Sequence, residues 1–293
     1  MSDTLISIQR RKKSAGDLAS VVRTMKAMAT SNITQYEMAV QSLQEYYRTI
    51  SLGLHTALKR EKLSVAATKE NNNEQLTVAV VFGSDQGLVG RFNETIAALA
   101  QDTLKDLKGE VEIWAVGERA YFLLVDEGYT PKRLFNVPNS VSAITPLVNH
   151  ILILSEEYRK KNNSYHFYIL HNKPLPMVGY QQECQQLYPP EEEWNRDIYK
   201  IKWPSKNLPE LIGDEESTLR TLISEYLFVS LYKACAESLS AENASRLEAM
   251  QRAEKNIDEV LGELNLRYNR LRQSTIDEEL FDVIAGFEAL KKK

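Results

Sequence analysis

Proline is nearly absent from both ends of this chain: six of its nine prolines fall between 172 and 214, and none lies in 3–60 or 215–290. Nothing in those ends therefore forbids long helices. Cysteine is equally scarce. Cys184 and Cys235 lie far apart in sequence, which fits neither a CxxC redox pair nor a zinc site, so both are expected to be reduced thiols. No apolar run approaches the ~18–20 residues of a membrane span. The net charge of −4 gives no general attraction to nucleic acid or to an anionic membrane. Catalytic signatures are missing too, since no G-x-S-x-G, H-E-x-x-H or EF-hand pattern occurs. The histidines His55, His150, His166 and His171 are scattered. The last two are five apart on an expected strand, hence on opposite faces and poorly placed as joint ligands.

What is present is periodicity. From Leu5, positions a and d of eight successive heptads read Leu5, Ile8, Lys12, Ala15, Ala19, Val22, Lys26, Ala29, Ile33, Tyr36, Val40, Leu43, Tyr47, Ile50, Leu54 and Ala57. Only the two lysines break the apolar seam, which predicts a helix on the order of 85 Å long, made to pair with another helix. The Arg- and Lys-rich start, Met1–Lys26, resembles a transit peptide in composition, but the register runs through it unbroken and marks it as mature structure. Lys12 and Lys26 can fix register, or simply pass their stems along the seam.

The C-terminal segment behaves alike. Steps of seven from Leu219 and Leu222 give an apolar seam to Tyr268 and Leu271, with a polar break across Lys233–Asn243. Past Leu271 the stripe slips by one, to Ile276, Leu280, Val283, Phe287 and Leu290, as if the helix changes partner there. The two ends carry opposite charge: residues 1–60 hold nine Lys/Arg against four Asp/Glu, and residues 215–293 hold fifteen acids against eleven bases.

Between them the chemistry changes. Gln75–Phe82, Val111–Val116 and Tyr165–Leu170 are β-branched or aromatic runs, separated by helix-like stretches near 94–107, 118–127 and 143–161. Strand–helix alternation implies an α/β domain. Residues 172–214 are expected to give an edge strand or hairpin and an irregular return, and Leu63–Glu74 a polar linker. The expected organisation is an N-terminal coiled-coil helix (1–62), an inserted small Rossmann-like α/β domain (75–214) and a C-terminal coiled-coil helix (215–293), the two helices pairing antiparallel. The Gly-rich turn Gly83–Arg91 follows a strand and precedes a helix, yet its G-x3-G-x2-G spacing matches no phosphate fingerprint and no Lys-Ser or Lys-Thr follows. A tight structural turn is the simpler reading, with a nucleotide cradle the alternative. The paired acids Glu191–Glu193 and Asp277–Glu279 read as solvated surface.

Three patches carry a resemblance. Arg23-Thr24-Met25-Lys26-Ala27-Met28-Ala29-Thr30-Ser31 resembles K-A-M-x-M-V-A-A-S. Ser84-Asp85-Gln86-Gly87-Leu88-Val89-Gly90-Arg91-Phe92-Asn93 is similar to S-D-R-G-L-C-G-G-L-N. On the last helix, Leu231-Tyr232-Lys233-Ala234, Glu237-Ser238 and Ala241–Met250, then Tyr268–Ile276 with Glu279-Leu280 and Glu288-Ala289-Leu290, resemble L-Y-x-A…E-S…S-E-x-x-A-R-M-x-A-M and Y-N-x-x-R-Q-x-x-I-T-x-E-L…E-A-L. These are motifs of the gamma subunits of F-type ATP synthases, and their order holds from about residue 5 to 290.

The resemblance implies a non-catalytic central-stalk rotor with no cofactor or metal of its own. It implies alpha, beta and epsilon subunits and a membrane c-ring as partners, and a peripheral position on the cytoplasmic face of a prokaryotic membrane. By position, Met25, Arg246, Arg272, Gln273 and Glu279 become the expected contacts with the catalytic ring. Departures at Asp17–Val21, Asn32, Gln86, Arg91 and Asp277 suggest a divergent branch or an alternative prokaryotic F-type ATPase. The absence of the redox-cysteine insertion of chloroplast-type gamma subunits removes any expectation of thiol switching. Two competing readings are an α/β enzyme dimerised by its helices, which should bind nucleotide through the Gly87 turn, and a scaffold coiled coil, which the inserted domain and the slip after Leu271 disfavour.

Overall fold

The computed structural model describes residues 4–61, 75–107, 109–162, 164–175, 179–190, 198, 200–207, 209–210 and 213–291, with the backbone alone for 59–61 and 288–291. The expected linker Leu63–Glu74, Trp194 and the acids Glu191–Glu193 lie outside the described residues. The elements follow in the order α1 (Leu5–Glu61), β1 (Gln75–Phe82), α2 (Phe92–Leu104), β2 (Glu110–Val116), α3 (Glu118–Asp126), β3 (Arg133–Phe135), α4 (Val141–Lys161), β4 (Ser164–Pro174), β5 (Tyr180–Tyr188) and α5 (Glu215–Lys291). The chain packs as two units, residues 1–29 with 247–293, and residues 30–246.

In the first unit the early part of α1 lies against the late part of α5. Lys12 Nζ stands 5.9 Å from the centre of the Tyr268 ring. Eleven and fourteen residues further along α1, Arg23 and Lys26 both donate to Glu254, at 3.1 and 2.6 Å. Rising numbers on α1 thus meet falling numbers on α5, which makes the pair antiparallel. The seam between them is apolar, built on Ala19, Val22, Met250 and Ile257. Lys26 keeps its stem at the seam and its ammonium on Glu254, and the two bases hold that carboxyl below the usual range, Lys26 first. Each fully buried Leu or Ile of such a seam contributes roughly 1.5–3 kcal/mol before chain entropy is subtracted.

The second unit continues the same logic on residues 30–61 and 215–246. Asn32 Nδ2 donates to Asn243 Oδ1 at 3.3 Å, and the Tyr46 hydroxyl to Glu225 at 2.6 Å. Ile50, Leu54, Ala57 and Leu58 pack on Leu219, Tyr226 and Val229. His55, buried here, donates through Nδ1 to the Ile198 carbonyl at 2.7 Å, a structural role for one of the four histidines.

The same unit holds a five-stranded sheet of order β3-β2-β1-β4-β5. The first four strands are parallel, and β5 runs antiparallel on the edge beside β4. Period-two alternation sorts the central strands between two cores. Val78, Val80, Trp114, Phe167 and Ile169 face α4 and α5, whereas Ala79, Val81, Ile113, Ala115 and Leu170 face α2 and α3. Strands buried on both faces are largely apolar, which is why β1 from Val78 and β2 from Ile113 read as continuous apolar runs. The three-residue strand Arg133–Phe135 was not among the expected ones; it is too short to show a period.

The apparent polar break in the C-terminal heptads has a different meaning in three dimensions. Every residue from 234 to 243 is buried. There α5 has α1 on one side, while Leu231, Ala234, Cys235, Ala236 and Leu239 join the core of the sheet on the other. A helix enclosed on several faces needs small residues to admit its neighbours, and alanine, serine and cysteine supply them. Cys235 forms no disulfide, and burial pushes its thiol well above the ordinary range, so it stays protonated and inert.

Candidate partner-contact surface

The Gly-rich turn is a joint. Gly83 N–H donates to Val116 O at 2.8 Å, closing the end of β1 on β2. Ser84, fully buried, donates its N–H to Asn93 Oδ1 at 2.9 Å, and Asn93 Nδ2 returns a bond to Ser84 Oγ at 2.8 Å. Asp85 accepts the N–H of Glu118 at 3.1 Å and that of Val137 at 2.9 Å. Its carboxylate therefore sits at the N-terminus of α3, where the helix dipole and an orphan N–H favour an anion. The donors of Ser84 and Glu118 that a bound phosphate would use are thus engaged inside the chain. No room is left either: a Cβ on Gly83 would stand 2.3 Å from Ala120 Cβ. The turn rests on α5 through Val89, Phe92 and Ala241. The structural reading of this turn accounts for its residues, and a nucleotide cradle does not.

Against that joint, α5 carries charges that belong to no surface. Glu242 and Arg246, four apart on one helical face, meet at 2.6 Å with side-chain exposures of 7% and 13%. Burial raises the Glu242 carboxyl above the usual range; Arg246 opposes this, and the nearby charge of Asp85 adds to it. A turn earlier, Glu237 Oε2 lies 2.9 Å from His171 Nε2 on β4, both buried. Burial works to raise Glu237 as well, but the His171 hydrogen bond and the charges of Lys233, His171 and Lys173 outweigh it and hold the carboxyl below the usual range. Folding then favours the ionised form of Glu237, so its contribution is present above the ordinary glutamate value of about 4.3 and disappears as pH falls through the lower folded value. Glu237→Gln is expected to cost about 1.5–3 kcal/mol at pH 6. Urea unfolding at stepped pH should show that gap closing below pH 4.3.

The five expected contact residues do not share one setting. Met25 is half-buried and packs on the seam of Ala19, Val22, Met250 and Ile257. Arg246 lies in the other unit, its guanidinium committed to Glu242. Arg272, Gln273 and Glu279 are exposed on α5. Arg272 and Glu279 are seven apart, and so share a helical face with Ile276 and Val283, which are 51% and 70% exposed. Leu280, Phe281 and Phe287 are exposed beside them. Before Leu271 the seam positions of α5 are largely covered; after it the slipped stripe is open. Of the departures from the motifs, Asn32 makes the seam bond to Asn243, and Asp277 is exposed. Two features escaped the sequence reading, the His171–Glu237 pair and the burial of Glu242. The i, i+4 spacing of Glu242 and Arg246 was visible, but spacing alone cannot distinguish a solvated helix face from an enclosed one.

Known proteins place this arrangement. The sequence profile of the family described as ATP synthase matches residues 4–290. The ATP synthase gamma chain of Geobacter metallireducens is 28% identical, over 98% of this chain and 99% of that one. The gamma chain of Fusobacterium nucleatum is 27% identical, over 97% and 98%. Among solved structures, the rotor of the Euglena gracilis mitochondrial ATP synthase superposes with a TM-score of 0.65 at 13% identity, covering 93% of this chain and 98% of that one. The central stalk and c-ring structure of the Tetrahymena thermophila mitochondrial enzyme contains a chain that superposes with a TM-score of 0.55 at 19% identity, covering 80% of this chain and 99% of that one. A profile that runs almost from end to end, together with full-length relatives of one name, leads to one assignment: this chain belongs to the family of ATP synthase gamma chains.

Proposed function

We propose that this gamma chain is the central-stalk rotor of a membrane-bound F-type ATP synthase, a non-catalytic subunit that carries torque between an ion-driven ring in the membrane and the alpha/beta catalytic ring. One observation carries the reading. From Ile276 through Leu280 to Val283 the C-terminal helix keeps an apolar stripe that is more than half exposed among the described residues. Runs of exposed Leu, Val, Ile and Phe mark a surface that another protein covers. In a rotor that cover is the catalytic ring.

On this reading α1 and α5 form an antiparallel coiled coil. The sheet is a Rossmann-like domain inserted between them, with segments at 1–62, 75–214 and 215–293. Alpha, beta and epsilon subunits and the c-ring are its partners. No helix among the described residues is long and apolar enough to cross a membrane, so attachment at the cytoplasmic face of a prokaryotic membrane comes through the complex. Identities of 25–28% to bacterial gamma chains fit a divergent branch.

Arg272, Gln273, Glu279 and Met25 are then contacts with the ring, Arg272 through a guanidinium whose planar fork can make and release carboxylate pairs as the shaft turns. The test is reconstitution. Added to alpha and beta subunits lacking their own gamma, the chain should restore coupled ATP hydrolysis. Arg272→Ala combined with Gln273→Ala should lower that activity by up to about tenfold, the equivalent of one charge-assisted contact. Unfolding of the isolated chain should not change. A chain that fails to join alpha and beta subunits, or a double variant with full activity, would contradict the reading.

A further inference from the structure

The second unit carries an open groove of about 300 Å³, outside the apolar stripe just described. One wall is a face of α1 on which Glu37, Gln41 and Gln44 recur at spacings of four and three. The floor is the buried stretch of α5, through Glu237 and Ser240. Met38 and Pro174 supply apolar rim, and Met38 is 61% exposed.

The chemistry of the floor is specific. Glu237 gives one oxygen, Oε2, to His171. Its other oxygen, Oε1, has among the described residues Lys233 Nζ at 3.8 Å, beyond hydrogen-bond range. Ser240 is 1% exposed, and among the described residues its hydroxyl has no hydrogen-bond partner. A buried hydroxyl left without a partner costs free energy comparable to a lost hydrogen bond. The wall adds acceptors: the Glu37 carboxylate and the amide oxygens of Gln41 and Gln44. Three bases stand near the floor, and two are occupied elsewhere: His171 by Oε2, and Lys173 by Glu183 at 2.7 Å. The third, Lys233, is half-exposed and does not reach hydrogen-bond distance.

We propose that this groove receives a lysine or arginine side chain from a partner subunit, its charged head between Glu37 and Glu237 and its stem along Met38 and Pro174. Two carboxylates, two amides and an unpartnered hydroxyl form an acceptor-rich pocket that a guanidinium or ammonium satisfies, and an apolar rim suits the methylene stem. An acidic or purely apolar segment would leave those acceptors unmet. The proposal rests on the chain being a subunit of an assembly, and the two parts of the test keep it apart from the rotor reading.

The first part needs no assembly. With the methionine methyls of the full chain labelled with carbon-13, N-acetyl-arginine amide should shift the Met38 resonance saturably, while N-acetyl-alanine amide should not. Glu37→Lys should weaken the effect about tenfold, as expected for a like charge placed at the contact. Spermidine, carrying charge without a side-chain stem, distinguishes a small-cation site: a response to spermidine with none to the arginine amide overturns the proposal, as does no saturable shift at all.

The second part uses a photo-reactive residue in place of Met38 in the chain assembled with alpha, beta and epsilon subunits. Crosslinked peptides should carry a Lys or Arg within about one helical turn of the attachment point. Their yield should drop about tenfold with Glu37→Lys and return when the partner's base is exchanged for an acid. Attachment to a segment without a base, or to a second copy of this chain, overturns the proposal. Failure to assemble counts against the rotor reading, and the methyl titration then decides the groove by itself.

Discussion

Gly117→Ala is expected to destabilise the sheet-bearing unit by about 3–5 kcal/mol. Gly117 ends β2 and precedes α3 with φ +107°, in the region that side-chain-bearing residues rarely adopt. A Cβ there would also stand 2.8 Å from the N, C and O atoms of Ser84, all main chain and therefore unable to turn away. The backbone must move, and it is bonded on every side. Gly117 N–H donates to Phe135 O at 2.8 Å, and Arg119 N–H to Ser84 O at 2.9 Å. Displacing Ser84 disturbs its pair with Asn93, and beyond it the Asp85 bonds to Glu118 and Val137. Gly128 provides the comparison. It has φ +89° but nothing within 4 Å of an added Cβ, so Gly128→Ala should show only the backbone term, about 1–2 kcal/mol. Urea unfolding followed through tryptophan fluorescence, to which the fully buried Trp114 contributes, measures both. Equal midpoints for the two variants would remove the steric part of the argument.

The contrast between those glycines also indicates which parts of the fold were legible in the residues. Heptad seams were, because one neighbour imposes one stripe: Ile8, Ala19, Val22, Ala29, Tyr36, Ile50, Leu54 and Ala57, all on the register, are buried, while Ile6, Leu18, Val21, Met28 and Met38, all off it, are exposed. The strands β1, β2 and β4 were equally plain, since burial on two faces leaves an apolar run. Where α5 meets two neighbours at once, a single seven-residue template fails, and Ser240 and Asn243 looked like defects although both are buried. The same blindness affects charge. Lys12 and Lys26 were visible as seam breakers, and each is accommodated, by the Tyr268 ring and by Glu254. Nothing in the spacing of Glu237, Glu242 and Arg246 distinguished them from a solvated face, because their burial is imposed by a sheet that closes from a distant part of the chain. The proposed contact residues past Leu271 come from motifs and from the slip of the stripe; Arg272, Gln273 and Glu279 are exposed there.

Arg246 is where these readings make opposing demands. As a ring contact, its loss would leave the isolated chain as stable as before and weaken only the assembly. As the partner of Glu242, its loss abandons a carboxylate on a side chain only 7% exposed, against 13% for Arg246. The geometry favours the second. Arg246→Leu should cost about 3–5 kcal/mol in the isolated chain at pH 7, as for other buried pairs broken on one side. Burial already raises the Glu242 carboxyl even with Arg246 present, so its ionised form is the strained one. The sign follows: a raised folded value means that any stabilisation by the neutral acid is fully present below the ordinary glutamate range and is lost as pH rises through the folded value. The penalty of Arg246→Leu should therefore shrink as pH falls toward 5, at higher pH than the Glu237→Gln gap, which closes only below the ordinary glutamate value of about 4.3. Glu242→Leu in the same chain removes the stranded charge and should recover most of the loss, because a buried ion pair replaced by apolar residues of similar volume is often neutral or better. A double-mutant cycle in urea gives the coupling directly. Additive single and double effects, or an Arg246→Leu chain as stable as the parent, would return Arg246 to the list of contacts made only in the assembly.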